Sequence, residues 1–437
     1  VRRFLPPLLR RREFSRFWGA QTVSLFGDQI TLLALPLTAV LVLDAHAAQM
    51  GYLTAAELFP NLLFSLHAGA LVDRMGKRRL TMIVADLGRA AAIATIPVAY
   101  GFDALSLAQL YVVAVVTGTL SVLFNVAYGS LFAAVVERED YLAGNSLLHG
   151  TRAFSYVAGP SVSGFLVQLL RAPFALVVDA VSFVGSALLL GSMRSPEPPP
   201  EKVEPGHFSA GMRWIWGTPV MRASMLSTTT INFFNFVFFA LFVLYATREL
   251  HVRAGTLGIV LGVGAIGGLI GSVIAGRIGR RIGVGPAFVL GCVVFPAPLL
   301  LVPLAGGPRP LVLGMLGAAE FGSGLGVMLL DISIGTIRAA ITPDRLRARV
   351  SGAYQVVNYG VRPLGALVGG TLGSAIGLRP TLWIATVGAL AGVLWLLRSP
   401  LPTLRDLPDE AGHPDAVVVA AGEDAGAVGG AARAPSV

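Results

Sequence analysis

Twelve runs of predominantly apolar residues, each long enough to cross a bilayer as a helix, follow one another along this chain. A span of hydrocarbon needs about 20 such residues at 1.5 Å rise per residue. The runs cover 17–43, 50–71, 80–100, 107–126, 146–170 and 172–193, and then 225–245, 256–274, 286–304, 311–332, 350–376 and 380–397. With no water to satisfy backbone groups inside a bilayer, such runs can only be helices. Only 13% of the 437 residues are charged, where a soluble domain carries about 25%. The expected fold is therefore an all-α membrane protein of twelve transmembrane helices.

The cations orient it. With the N-terminus placed in the cytoplasm, 25 of the 33 Lys and Arg fall in cytoplasmic segments. Five fall in outer loops: Arg171, Arg248, Arg253, Arg309 and Arg379. Three, Arg89, Arg152 and Arg362, fall inside spans. This asymmetry predicts both termini in the cytoplasm and an even number of spans. It also accounts for the formal net charge of +9 without a nucleic-acid partner. The basic start is followed by run 17–43, which is too long for the core of a signal peptide and is read as an uncleaved first span. A single cysteine, Cys292, excludes an intramolecular disulfide framework.

An internal repeat is visible. Arg74-Met-Gly76-Lys77-Arg78 returns as Arg277-Ile-Gly279-Arg280-Arg281, and Pro160 returns as Pro363, both at an offset of 203. One offset at two distant places predicts two pseudo-symmetric six-helix halves in parallel orientation. The expected division is 1–193 for the N-terminal half, 194–222 for a cytoplasmic linker, 223–398 for the C-terminal half and 399–437 for a tail. The linker opens with a proline-rich stretch. It continues into 207–217, where Phe208, Met212, Ile215 and Trp216 share one helical face, as in a helix lying on the membrane. The tail, rich in Ala, Gly, Asp and Pro and without periodicity, is expected to be disordered and cytoplasmic.

The segment Gly69-Ala-Leu-Val-Asp73-Arg74-Met-Gly76-Lys77-Arg78-Arg79 links the second and third runs. Its spacing closely resembles the signature loop of the major facilitator superfamily. Further stretches resemble the subfamily of the enterobactin exporter and the macrolide efflux pumps: Ser24-Leu-Phe-Gly27-Asp28, Ala85-Asp86-Leu-Gly-Arg89-Ala90, Phe124-Asn125-Val-Ala-Tyr128, Val136-Glu-Arg-Glu-Asp140 and Thr342-Pro-Asp344-Arg345-Leu. The resemblance implies a multi-pass protein of the bacterial cell membrane that exports small amphipathic molecules against an inward proton gradient. It also implies that Gly69, Asp73, Arg74, Gly76, Lys77 and Arg78 form a gate, with Asp73 beside the N-terminus of the eleventh span. Gly159, Pro160 and Gly164 resemble part of the antiporter motif of drug exporters, with Ser163 replacing one glycine. The arginine motif of the fourth span common in the family is missing, so a proton relay that depends on it does not carry over.

An ionisable group at membrane depth is costly and is a functional candidate by default. By residue count Asp28, Glu320 and Arg362 lie near mid-bilayer, Glu57 nearer the outside, and Asp86 and Arg89 nearer the cytoplasm. A buried carboxylate can exchange a proton near neutral pH, so Asp28, then Glu320 and Glu57, are the proton-coupling candidates. The structural alternative is a permanent pair, with Arg362 the cation for Asp28 or Glu320. Asp86 and Arg89, three apart, can satisfy each other on one helix. Asp179 and Asp331 are read as lying near span ends. Asn232 and Asn235, among the phenylalanines of the seventh run, are candidates to line a substrate cavity.

The chain has no nucleotide-binding signature and no metal-ligand spacing, so neither a cofactor nor a metal is expected. No convergent catalytic cluster suggests an enzyme. The expected partners are a small-molecule substrate, protons and the lipid bilayer, with the chain acting as a monomer. An uptake symporter is the alternative within the class. A lipid translocase or a non-transporting membrane receptor is the alternative outside it.

Overall fold

The computed structural model describes residues 6–64, 76–194 and 208–405. Gly69, Asp73 and Arg74, the proline-rich linker stretch and the tail from 406 lie outside the described residues. Among the described residues there is no strand, and nearly every apolar run is a helix. In chain order these are α1 (Arg12–Leu41), α2 (Ala47–Phe64), α3 (Arg78–Gly101), α4 (Leu107–Val135), α5 (Tyr141–Leu170) and α6 (Ala172–Gly191). A short helix α7 (Phe208–Gly217) precedes α8 (Pro219–Arg248), α9 (Ala254–Ile282), α10 (Val284–Val294), α11 (Arg309–Ile341), α12 (Arg347–Ile376) and α13 (Leu378–Ala391). Further short turns carry α10 on to Leu304 and α13 on to Leu397.

Ten helices among the described residues are long and apolar enough to cross a membrane. The two long helices outside that set are α2, which carries Gln49, Glu57 and Asn61, and α12, which carries Asn358 and Arg362. They pack on each other. Helices covered by protein can carry polar residues that a lipid-facing helix cannot.

Helix ends follow local chemistry. Ser106 caps α4, its hydroxyl accepting from the Gln109 N–H at 3.3 Å. Proline stands at the first turn of α6, α8 and α11, where its missing N–H costs nothing. The turn before α3 passes through Gly76 at φ +59°, a conformation that glycine adopts without strain.

The repeat is written in these boundaries. α1 and α8, and likewise α2 and α9, start 207 residues apart. α3 and α10, α5 and α12, and α6 and α13 start 206 apart. Loop conformations follow: Asp44 and His251 both take φ near +50°, and after them Ala45 N–H closes on the Ala39 carbonyl at 2.9 Å and Val252 N–H on that of Ala246 at 2.8 Å. The offset of 203 read from the sequence is about one helical turn short. Gly279, matched there to Gly76, lies inside α9, and the turn falls at Gly283.

The first set of helices packs through α1–α6, α3–α6, α3–α4, α2–α4 and α1–α5, and the second through α9–α11, α8–α12, α10–α11 and α8–α13. The two sets meet along α2–α12 and α5–α9. Both junctions are glycine crossings. A Cβ on Gly51 would lie 2.7 Å from Gly370 Cα, and one on Gly258 would lie 3.0 Å from Gly164 Cα and 2.2 Å from the Pro160 carbonyl oxygen. Gly51 and Gly258 are 207 apart and Gly164 and Gly370 are 206 apart, so one contact is the repeat of the other.

One end of the bundle is fused. The largest buried apolar cluster runs through both sets there, joining Ala47 and Met50 of α2 to Val237 and Leu241 of α8. At the opposite end, which carries α7 and most of the cations, the sets keep separate clusters. One is built around Phe17, Met82 and Phe124, the other around Ile215, Phe288 and Val350. α7 forms as expected but docks on protein. Ile215 is fully buried, and Gly211 lies so close to α12 that a Cβ would approach the Arg349 carbonyl oxygen to 2.3 Å. Trp216, expected on the same apolar face, is exposed.

Candidate functional site

Between the two sets lies a cavity of about 520 Å³. The first set contributes Gln29, Leu32 and Leu33 from α1 and Tyr156 and Pro160 from α5. The second contributes Asn235, Phe238, Phe239 and Phe242 from α8, Gly264 and Gly268 from α9, and Glu320 and Ser323 from α11. The wall is mainly apolar and aromatic with a few polar groups, the usual make-up of a pocket for a drug-sized ligand. Its polar centre is Glu320. The Cβ position of Gly264 is 3.1 Å from Glu320 Oε2, so the glycine makes the space that the carboxylate occupies. Glu320 has no hydrogen bond or ion pair among the described residues.

The other expected residues distribute around this cavity. Asn235 lines it, whereas Asn232 turns away. Asn232 Oδ1 accepts from Arg362 Nε at 3.1 Å, and its amide donates to Asn358 Oδ1 at 3.3 Å. The Arg362 guanidinium lies 4.0 Å above the Tyr359 ring and 5.1 Å from that of Phe236. Arg362 therefore neutralises neither Asp28 nor Glu320. The carboxylate whose charge acts on it is that of Asp331. Asp331 lies inside α11, which continues past the apolar run to Ile341, and so is not at a helix end.

Asp28 instead meets Arg89. Arg89 Nη1 is 3.4 Å from Asp28 Oδ1, and Arg89 Nη2 is bonded to Asp86. The Arg89 side chain is 3% exposed, that of Asp86 0% and that of Asp28 43%. Two rings hold the guanidinium, Phe124 at 4.6 Å and Phe183 at 4.1 Å, and the Ser121 hydroxyl lies 3.3 Å from Nη1. The depths assigned from residue count set Asp28 apart from Asp86 and Arg89; packing of α1 against α6 and of α6 against α3 brings the three together.

Asp179 joins the same region and is missed by the sequence reading. It is fully buried near the middle of α6, accepting from the Thr31 hydroxyl and, at 3.1 Å, from the Ser182 hydroxyl. A Cβ on Gly27 would clash with it at 2.1 Å, so Gly27 lets α1 approach the carboxylate. The pattern of a glycine before Asp28 and a threonine one turn after it was the available signal. The charge of Asp28 reaches Glu57, Asp86 and Asp179, and those of Arg89 and Arg152 reach Asp28.

Pro160 and Gly164 lie at the α5–α9 crossing, whereas Gly159 faces α1, where a Cβ would meet the Gln29 side chain at 2.4 Å. Ser163, in place of the motif's glycine, points away from that crossing and donates to the Gln29 carbonyl at 2.8 Å, tying α5 to α1. Of the loop signature, Gly76, Lys77 and Arg78 are described, and Arg78 is buried.

The same overall fold recurs among solved structures of membrane transporters. The structure superposes on the nucleoside transporter NupG with a TM-score of 0.73 at 11% identity, covering 88% of this chain and 99% of that one. It superposes on a bacterial homologue of ferroportin in an inward-facing state with a TM-score of 0.67 at 17% identity, covering 90% and 99%. The chain belongs to the transmembrane secretion effector family of major facilitator transporters, whose family model matches residues 4–429. It is 28% identical over 400 residues to the multidrug efflux pump Tap of Mycolicibacterium fortuitum, covering 87% of this chain and 93% of that protein.

Proposed function

We propose that this transporter exports small amphipathic molecules in exchange for protons, as a monomer of twelve spans with both termini in the cytoplasm. The carrying observation is the apolar cavity between the two helix sets with the Glu320 carboxylate in its wall. The fused end is then the outer gate, and the conformation is inward-facing. The recurrence of five of the six helix starts at 206–207, with α4 and α11 starting 202 apart, supports two six-helix halves rocking about the α2–α12 and α5–α9 crossings.

Asp28 is the leading proton carrier. It lies on α1 one turn before the cavity residue Leu32, and its carboxylate is partly exposed. Its contact with Arg89 is the long arm of a three-residue arrangement; the close arm goes to Asp86. When Asp28 takes a proton, Arg89 keeps a counter-ion, so the cluster survives both states. Glu320 is the second carrier, on the opposite wall.

The test uses inverted vesicles, a fluorescent amphipathic cation and an imposed proton gradient. Asp28→Asn is expected to abolish gradient-driven accumulation while leaving binding of the dye intact, and Glu320→Gln to weaken it. Full gradient-driven transport by both variants would remove these carboxylates from the coupling. Dye movement down the proton gradient instead of against it would identify a symporter.

A further inference from the structure

Arg362 is a cation in the middle of α12 whose outer edge is left open. Its Nε donates to Asn232 Oδ1 at 3.1 Å, and its plane lies over the Tyr359 and Phe236 rings. Among the described residues neither Nη has a hydrogen-bond partner, and no carboxylate lies within ion-pair distance of the guanidinium. Asp331 acts on it through charge without touching it. That acid stands on α11 one turn nearer the divided end than the cavity residues Val327 and Met328. Described neighbours on α2 fix the depth of Arg362: Leu62 lies against Gly360, and Ala55 clusters with Ala366.

The repeat gives the direction in which Arg362 faces. α5 and α12 start 206 residues apart and α1 and α8 start 207 apart, so Tyr156 corresponds to Arg362 and Gln29 to Phe236. One packing contact supports this register. A Cβ on Gly159 would lie 2.6 Å from Gln29 Cβ, and one on Gly365, its repeat, would lie 3.2 Å from Phe236 Cβ. Tyr156 and Gln29 line the Glu320 cavity. In the two-half arrangement proposed above, a face directed at the interior in one half is directed at the interior in the other. Exposure along α12 agrees. Gln355 and Tyr359, on the face of Arg362 toward the divided end, are exposed, and that face runs on through the buried Ala366 and Gly370 into the α2–α12 crossing. An aromatic wall leads from Arg362 to the cavity: the Phe236 and Phe239 rings are 5.7 Å apart, and Phe239 lines it.

We propose, resting on the reading of the Glu320 cavity as the substrate site, that Arg362 receives a carboxylate of the transported molecule. The apolar body then lies along Phe236 and Phe239, with a cationic group in the Glu320 cavity, so the preferred substrates are amphipathic zwitterions. An arginine at this depth is costly. Here the rings, Asn232 and the charge of Asp331 offset that cost, and none of them occupies the Nη1–Nη2 edge. Stacking holds the guanidinium plane, and the free edge presents two parallel donors, the geometry that a carboxylate accepts.

The test compares two fluorophores that differ in one group: tetramethylrhodamine, a zwitterion with a free carboxylate, and its methyl ester, a cation. Binding to the purified full chain is read by fluorescence anisotropy without a proton gradient, so a failure of proton coupling leaves the result intact. Wild type is expected to bind the zwitterion roughly tenfold more tightly than the ester. Arg362→Gln is expected to abolish that preference by weakening the zwitterion alone, and Arg362→Lys to restore part of it. Glu320→Gln should weaken both dyes alike. Equal affinity of wild type for the two dyes would overturn the proposal without any variant having to fold. Equal loss of both dyes in Arg362→Gln would make the arginine a packing residue and overturn it as well. Binding of neither dye by wild type would overturn the cavity reading, and this site with it.

Discussion

Gly258→Ala should open the fused end of the bundle. The added Cβ would fall 2.2 Å from the Pro160 carbonyl oxygen, 3.0 Å from Gly164 Cα and 3.1 Å from Gly164 N. All three atoms belong to backbone, so no side chain can turn aside. Contact at a tolerable distance requires α5 and α9 to separate by about 1 Å, and such overpacking costs about 1–3 kcal/mol. In alternating access the crossing loosens when that end opens, so the cost falls chiefly on the state seen here. The population ratio should then shift roughly 5- to 150-fold toward the open state. Spin labels on Ala108→Cys and Gly306→Cys, one at this end of each helix set, would report the shift as a longer distance population. Gly314→Ala is the control: nothing lies within 4 Å of its Cβ position, and alanine is the better helix former. A distance distribution in Gly258→Ala that matches the control would refute the view that the crossing is a closed gate.

Two further outcomes follow from the buried charges and the loops. Arg89→Gln leaves Asp86, whose side chain is fully buried, without its cation. Destabilisation on the order of 3–5 kcal/mol is expected in thermal melts, with part of it recovered by adding Asp86→Asn; equal melting of variant and wild type would mean the cluster is hydrated. Cysteines at Gly306 and at Ser209 should label with an impermeant reagent from outside and only after permeabilisation, respectively, and reversed labelling would invert the orientation.

The sequence by itself determined the helices and their order, because a bilayer leaves an apolar run of span length no alternative structure. It determined the turns as well: Gly76 and Ser106 act through their own backbone and side chains. It marked Asp28, Glu57, Asp86, Arg89, Glu320 and Arg362 as groups inside the apolar runs, since charge at that depth is visible from composition alone.

What the tertiary structure decided is which of them meet. Helical periodicity gives a residue its face but not the helix opposite, so Arg362 was as good a partner for Asp28 as Arg89 until α1, α3 and α6 were packed. Asp179 looked peripheral by residue count and is buried because Thr31 and Gly27 of another helix receive it. The repeat offset read from matching motifs was short by about one turn, because similar residues can recur on neighbouring turns, whereas the backbone contacts at Gly51, Gly164, Gly258 and Gly370 fix the register. The Glu320 cavity lies between elements far apart in the chain and has no linear signature.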